Sequence, residues 1–227
     1  MTTLRLLSPA GGQRPLSRNK KQRLARGYVL AGGASARFGR DKVLIELAGK
    51  PALVRVLEVL RESRVRETIV VGKKTLYERL GARCIKDKWP GEGPLGGIVT
   101  ALRSSVADKY GYYRNLIVSC DMPFLTAEWL AYLCERAARS DAEIVVPRSA
   151  NGLEPLCACW RTSAVGTLQH AFDRGVRKVS EGIALLRAEV LDETDWKRFD
   201  KAGRLFWNMN TQADYEEARR ILEAEEK

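Results

Sequence analysis

The chain has 227 residues, 45% hydrophobic and 30% charged, with a formal net charge of +11. That composition suits a globular protein with one sizeable domain or two small ones, and no apolar run approaches bilayer-spanning length. The single His170 excludes a histidine-based metal cluster, and Cys84, Cys120, Cys134, Cys157 and Cys159 lack zinc or disulfide spacing, which reads as buried, reduced thiols in a cytoplasmic protein.

Charge is unevenly spread. Residues 1–26 carry seven cations (Arg5, Arg14, Arg18, Lys20, Lys21, Arg23 and Arg26) and no acid, which leaves only +4 of the net +11 to the other residues. With Pro9, Gly11, Gly12 and Pro15 interspersed, 1–26 is expected to be a disordered basic tail outside the fold. It lacks the apolar core of a secretory signal. A nucleic-acid module should interleave cations with aromatics along the fold, and +4 over residues 27–227 does not offer that.

From Gly27 onward strand-like and helix-like runs alternate. Gly27–Ala31 reads as a buried strand. It feeds the loop Gly32-Gly33-Ala34-Ser35-Ala36-Arg37-Phe38-Gly39-Arg40-Asp41-Lys42. Glycines and cations between a strand and a helix suit phosphate groups. The Walker and dinucleotide spacings are both absent. Apolar residues at Leu53, Val54, Val56, Leu57 and Leu60 predict a helix over 51–62, opened by Pro51.

Thr68–Gly72 reads as a strand, 73–80 as a short helix, and Ala82–Lys86 as a strand. Leu95–Ser105 reads as a helix and Asn115–Cys120 as a strand. Thr126 is expected to cap a helix running to Arg139, with Glu128 in its first turn. Glu143–Pro147 and Leu156–Trp160 are further strands, the latter placing Cys157 and Cys159 on one face. Thr162–Asp173 reads as a helix carrying His170, and 174–178 as a turn. Phe206–Asn210 reads as a late strand. Thr211-Gln212-Ala213-Asp214 reads as a capping box, with Asp in place of Glu, opening a last helix to Glu225. The alternation predicts one domain over 27–227: an α/β, Rossmann-like open twisted sheet, mostly parallel, with helices on both faces. Ligands of such sheets bind at the carboxyl ends of the strands.

Four motifs stand in order along the chain: Leu-Ala-Gly-Gly-x-Ser-x-Arg-Phe-Gly-x-Asp-Lys at 30–42, Gly93-Pro94-Leu95-Gly96-Gly97-Ile98, Ser119-Cys120-Asp121-Met122-Pro123-Phe124 and Asn208-Met209-Asn210-Thr211. Together they resemble the molybdenum cofactor guanylyltransferase (MobA) family of nucleotidyltransferases. Glu154-Pro155-Leu156 is similar to that family's acceptor-side strand entrance. The resemblance implies the nucleotide-diphospho-sugar transferase type of fold. It also implies an Mg²⁺-dependent transfer of GMP from GTP to the phosphate of molybdopterin, with release of pyrophosphate. Molybdenum-insertion proteins or acceptor molybdoenzymes are the partners it suggests, with no membrane.

The same resemblance assigns roles by position. Leu30, Ala31, Gly32 and Gly33 would bind the nucleotide, with backbone N–H groups near Gly32 and Gly33 cradling the β- and γ-phosphates, and Arg37 and Lys42 would hold the departing pyrophosphate. Asp121, at the end of a strand, is a natural Mg²⁺ ligand, although alone it reads equally as a turn aspartate. Asp87 would contact guanine or its ribose, with Gly93, Pro94 and Leu95 in the second loop. Gly93, Gly96 and Gly97 would let that loop approach the base. Gly72 stands where the family usually has Asn, which removes a polar contact.

Asn208 and Asn210, alternating along a strand, would face the acceptor phosphate or the metal shell; capping of the last helix is the other reading of Asn210 and Thr211. Arg177 and Lys178 would meet the acceptor's anionic end, or lie in a solvated turn. Gly32-Gly33 resembles guanylyl members, whereas cytidylyl relatives more often have Ala-Gly. The same chemistry on CTP, or on a sugar or isoprenoid phosphate, is the alternative.

Overall fold

The computed structural model describes residues 25–31, 42–63, 65–72, 77–107 and 113–226. The tail predicted over 1–26 lies outside them except at its end. There the boundary falls too late: Ala25 is buried, and Arg26 opens the first strand with 1% exposure, its guanidinium 2.8 Å from Glu67.

The chain runs β1 (Arg26–Leu30), a 3-10 turn (Lys42–Leu44), β2 (Glu46–Leu47), β3 (Lys50–Pro51), α1 (Ala52–Glu62), β4 (Thr68–Gly72), β5 (Arg83–Lys86), α2 (Pro94–Val106) and β6 (Arg114–Ser119). It continues as α3 (Ala127–Arg139), β7 (Ile144–Ser149), β8 (Gly152–Leu153), β9 (Cys157–Arg161), a 3-10 turn (Thr162–Ala164), α4 (Val165–Asp173) and α5 (Val179–Ile183). β10 (Ala188–Leu191), α6 (Glu193–Trp196), a 3-10 turn (Lys197–Phe199) and α7 (Gln212–Glu225) complete it.

The main sheet has the order β10-β7-β9-β6-β1-β4-β5, with β8 paired to β7. β1 is parallel to β4 and β6, β4 to β5, and β10 to β7. β9 is antiparallel to both β6 and β7, which leaves those two running the same way. Six strands, β1, β4, β5, β6, β7 and β10, therefore end on one edge. β2 and β3 form a separate antiparallel hairpin.

Strand residues alternate between two cores, as period-two side chains on a sheet covered from both sides must. Val29, Val70, Leu116, Val118, Cys157 and Cys159 pack with α1 and α3. Tyr28, Leu30, Ile69, Ile117, Ala158 and Trp160 pack with α2, α4 and α5. A third cluster, Leu47, Ala52, Met209, Ala218 and Leu222, seats α7 on the hairpin.

The predicted caps form. Thr126 Oγ1 accepts from Trp129 N (3.3 Å) at the start of α3. Thr211 and Asp214 make the reciprocal capping box of α7. Pro51 stands one residue outside α1, as its N-cap, because its extended backbone closes the β2–β3 pair first. Of the helix expected over 73–80, residues 73–76 lie outside the described residues, and Tyr77–Glu78 are helical.

Two expectations in the second half are corrected. Phe206–Asn210 is not a strand: Trp207 N bonds Arg204 O (2.9 Å) and Met209 N bonds Asp121 O (2.9 Å), so these groups serve a turn and a tether rather than a ladder. The argument that Asn208 and Asn210 share a face by alternation therefore lapses. The last sheet strand is instead β10, at the outer edge against β7.

Candidate active site

The site is built where β1, β4, β5 and β6 end side by side. Ala31 N donates to Val71 O (3.0 Å), and Cys120 N donates to Leu30 O (3.3 Å), so the first loop leaves a backbone locked to both neighbouring strands. Residues 32–41, with Gly32, Gly33 and Arg37, lie outside the described residues. Lys42 opens the first 3-10 turn, and the next residue, Val43, is buried in the core that α1 covers. Leu30 has 6% exposure and its side chain faces α2, so what it offers a ligand is backbone.

Gly72, at the end of β4, is covered by Tyr77. A Cβ on Gly72 would lie 2.8 Å from Tyr77 Cε2, closer than packed atoms tolerate. Tyr77 is fully buried, and its hydroxyl donates to Ala31 O (3.0 Å), the residue just before Gly32. The Asn usual in the family has no room here. Its place in the fold is taken by an aromatic ring that anchors the entry to the first loop.

The second loop follows β5. Asp87 Oδ1 accepts from Trp89 N (3.1 Å) and from Thr100 Oγ1 (3.1 Å), and Thr100 Oγ1 accepts from Lys88 N (3.2 Å). Both bonds to the carboxylate fall on Oδ1, which orients the group. Thr100, on buried α2, was not singled out in the sequence; a lone Thr in a helical run gives no sign that it meets a loop residue thirteen positions back. Gly93 caps α2 with φ 87° and ψ 175°, a conformation open to glycine almost alone, and Pro94 follows at the first helical position.

Gly96 and Gly97 sit against protein atoms. Cβ atoms there would lie 3.2 Å from Trp89 Cβ and 3.3 Å from Leu30 Cδ1, so these glycines let α2 close against the loop and β1. Leu95 is fully buried beside them, and it too offers a ligand only backbone.

Arg177 is drawn to this same loop. Its Nε is 2.6 Å from Glu92 Oε2, Nη1 donates to Phe172 O (2.7 Å), and the guanidinium lies 4.0 Å from the Phe172 ring centroid. Phe172 in turn packs on Trp89, 5.0 Å between ring centroids. Lys178 is exposed, with Glu181 3.8 Å away.

Asp121 is half-buried just past β6, and its Oδ1 is shielded from solvent. The segment 121–124 is zipped to 206–210. Besides the Met209–Asp121 bond, the rings of Phe124 and Trp207 stack with centroids 5.4 Å apart at 10°. Asn208 Nδ2 donates to Phe206 O (3.0 Å). Asn210 N donates to Asp214 Oδ2 (2.9 Å), so Asn210 takes part in the α7 cap while directly following Met209, the main-chain partner of Asp121. Among the described residues no group of three His, Cys, Asp or Glu could hold a metal ion. A lone carboxylate fits a hard cation that draws its other ligands from phosphate and water, and does not fit a protein cage.

Glu154 sits at the entrance of β9. Burial lifts its carboxyl above the usual range, opposed by the hydrogen bond from Ser149 Oγ (2.6 Å). The buried thiol of Cys157 is pushed up to about 12 by burial, against a bond from the Trp129 indole N–H (3.3 Å), so it stays an inert core group.

The strand entering the first glycine-rich loop, the capped second loop and the tethered Asp121 thus share one edge, in the order the motifs anticipate. Residues 27–190 match the sequence pattern of the MobA-like NTP transferase domain. The chain belongs to that family. It is 32% identical over 199 residues to a probable molybdenum cofactor guanylyltransferase of Pelotomaculum thermopropionicum, covering 88% of this chain and 94% of that one. It is 36% identical over 163 residues to one of Opitutus terrae, covering 70% and 78% respectively.

Among solved structures, it resembles molybdopterin-guanine dinucleotide biosynthesis protein A of Archaeoglobus fulgidus, with 29% identity, a TM-score of 0.73 and coverage of 86% of this chain and 97% of that one. The fold is therefore that of the nucleotidyltransferases, and as a MobA-like NTP transferase the chain is an enzyme of that class. No helix of the described residues is long and apolar enough to cross a membrane.

Proposed function

We propose that the protein is a molybdenum cofactor guanylyltransferase: it transfers GMP from GTP to the phosphate of molybdopterin and releases pyrophosphate. The observation that carries this reading is the bond from Met209 N to Asp121 O, which fastens the late Asn-x-Asn-Thr segment to the main chain of the strand-end aspartate. The names of the relatives support it.

An oxygen of the acceptor phosphate attacks the α-phosphorus, the bond from that phosphorus to the β-phosphate oxygen breaks, and pyrophosphate leaves. The acceptor is already anionic, so the site's work is alignment and charge neutralisation. Asp121 is the residue that would hold Mg²⁺, which would supply positive charge to offset that of the phosphate groups. Asp87, oriented by Thr100 and Trp89 N, accepts from the N1 and N2 hydrogens of guanine. The backbone of Leu30, Ala31, Gly32 and Gly33 and that of Gly93, Pro94 and Leu95 flank the nucleotide, and Gly72 leaves room for Tyr77 beside it.

Arg37 and Lys42 hold the leaving pyrophosphate. Asn208 and Asn210 serve the acceptor phosphate. Of the two cations proposed for the anionic substrates, Arg177 is fastened to Glu92 and Lys178 is the more exposed. A cytoplasmic setting, with molybdenum-insertion proteins or acceptor molybdoenzymes as partners, goes with this reading.

The test is pyrophosphate release by the purified protein with Mg²⁺ and molybdate-loaded molybdopterin, comparing GTP, CTP, ATP and UTP. Release with GTP alone is expected. Release with CTP alone would move the protein to the cytidylyl branch, and release with none would overturn the acceptor.

A further inference from the structure

α2 joins the two loops of the nucleotide half of the site. It starts at Pro94, behind Gly93 of the second loop. A Cβ on Gly97 would lie 3.3 Å from Leu30 Cδ1, so the helix also rests on the end of β1, before the first loop. Thr100 makes a third attachment. It is 3% exposed, and its hydroxyl leaves the helix for the second loop. A Thr inside a helix commonly returns its hydroxyl to a carbonyl of the preceding turn. Here Oγ1 accepts from Lys88 N (3.2 Å) and donates to Asp87 Oδ1 (3.1 Å), since an ionised carboxylate only accepts.

Trp89 N occupies a second place on the same oxygen (3.1 Å). One donor comes from the loop's own main chain and the other from a buried helix. Among the described residues no donor is bonded to Oδ2 of this half-buried aspartate. The loop behind is braced as well: Trp89 packs on Phe172, and Glu92 is paired with Arg177. An aspartate carboxyl turns readily about its last torsion and can offer either oxygen. Held at Oδ1 by two donors, Asp87 offers a ligand one oxygen in one place.

We propose that Thr100 is the positioning residue that sets base choice: it commits Asp87 Oδ1 to the protein, so that Oδ2 alone faces the N1 and N2 hydrogens of guanine. The proposal rests on the guanylyltransferase reading, and names what makes its nucleotide site select. A fixed carboxylate oxygen attracts the guanine donors and repels the N1 lone pair of adenine. The same arrangement dictates what an amide must do. In Asp87→Asn the two donors accept only the amide oxygen at the Oδ1 place, which turns the NH₂ group to the base. Preference should then pass to xanthine, which carries an acceptor oxygen where guanine carries its 2-amino group.

The experiment measures binding of GTP, ATP and XTP by calorimetry, on the full chain with Mg²⁺ and no acceptor. It compares wild type, Thr100→Val, Thr100→Ser and Asp87→Asn, and steady-state kinetics follow for the Thr100 pair. Thr100→Val should weaken GTP about tenfold and leave ATP within about twofold, as loss of one hydrogen bond to a charged group does. Its GTP KM should rise by the same factor, with kcat and the acceptor KM close to wild type. Thr100→Ser, which keeps the hydroxyl, should restore the wild-type values. Asp87→Asn should bind XTP more tightly than GTP.

Equal weakening of GTP and ATP in Thr100→Val, or a fall in kcat with the GTP KM unchanged, would overturn the proposal. So would an Asp87→Asn variant that still prefers GTP to XTP, and that variant decides the matter if Thr100→Val does not fold. Thr100-dependent GTP binding without transfer to molybdopterin would instead overturn the guanylyltransferase reading and leave the role of Thr100 standing. Tighter wild-type binding of CTP than of GTP, measured alongside, would overturn both.

Discussion

The ring of Tyr77 covers Gly72 so closely that a Cβ on Gly72 would lie 2.8 Å from Tyr77 Cε2. The pair acts as a unit: the missing side chain admits the ring, and the ring's hydroxyl reaches the Ala31 carbonyl, at the mouth of the first loop. Overpacking a filled site costs about 1–3 kcal/mol. Gly72→Ala is therefore expected to lose that much stability, and Tyr77→Phe about 1 kcal/mol by leaving a buried carbonyl unserved. Urea unfolding midpoints measure both. Gly72→Asn should be worse than Gly72→Ala and should be rescued in part by Tyr77→Ala; no rescue would mean that the ring is not what excludes the side chain.

Asp121→Asn keeps the size and removes the charge that would anchor the cation. Turnover is expected to fall at least about a hundredfold, since charge stabilisation by a bound metal is worth several kcal/mol. The fold should survive, because the Asp121 main-chain tether to Met209 is untouched. Saturation kinetics together with a thermal melt separate the two effects.

The α7 capping box ties Asn210 N, Thr211 N and Asp214 together. Thr211→Ala is expected to cost about 1 kcal/mol, as loss of a helix N-cap does. If Asn210 serves the acceptor, the same change should raise the acceptor KM and leave the GTP KM alone.

Glu154 gives a pH signature. Burial raises its folded-state carboxyl above the usual 4.5, so the folded protein holds this proton more tightly than the unfolded chain does. Its contribution is thus most favourable below 4.5, and is lost as pH rises through that value to the raised one. Glu154→Gln should narrow the stability gap between acidic and neutral pH, the gain over wild type appearing on the neutral side. Melting temperatures across that window check the sign.

Much of this was legible in local pattern. Val29, Leu116 and Val118, and Cys157 and Cys159, follow a strict period of two, so their strands and faces could be read directly. Thr126, Thr211 and Asp214 declare helix starts through side chains that serve their own neighbours. Phe206–Asn210 misled because aromatic and Asn residues in a short run look strand-like, whereas the backbone there is tethered to Asp121, far away in sequence. β10 was missed because Ala188, Glu189, Val190 and Leu191 form a short edge strand that, among the described residues, pairs with β7 alone. Thr100 and Tyr77 owe their roles wholly to contacts with Asp87, Gly72 and Ala31, and Arg177 is held by Glu92, so nothing near them in the chain reveals the part they play.

The central claim is guanylyl transfer centred on Asp121. Its most direct test follows GTP labelled at either the α- or the γ-phosphate, incubated with molybdate-loaded molybdopterin and Mg²⁺, using wild type and Asp121→Asn. The account predicts that the α-label enters the pterin product and the γ-label leaves as pyrophosphate, with both events nearly lost in the variant. Label that never reaches the acceptor, or a variant that transfers it at a rate close to wild type, would contradict it.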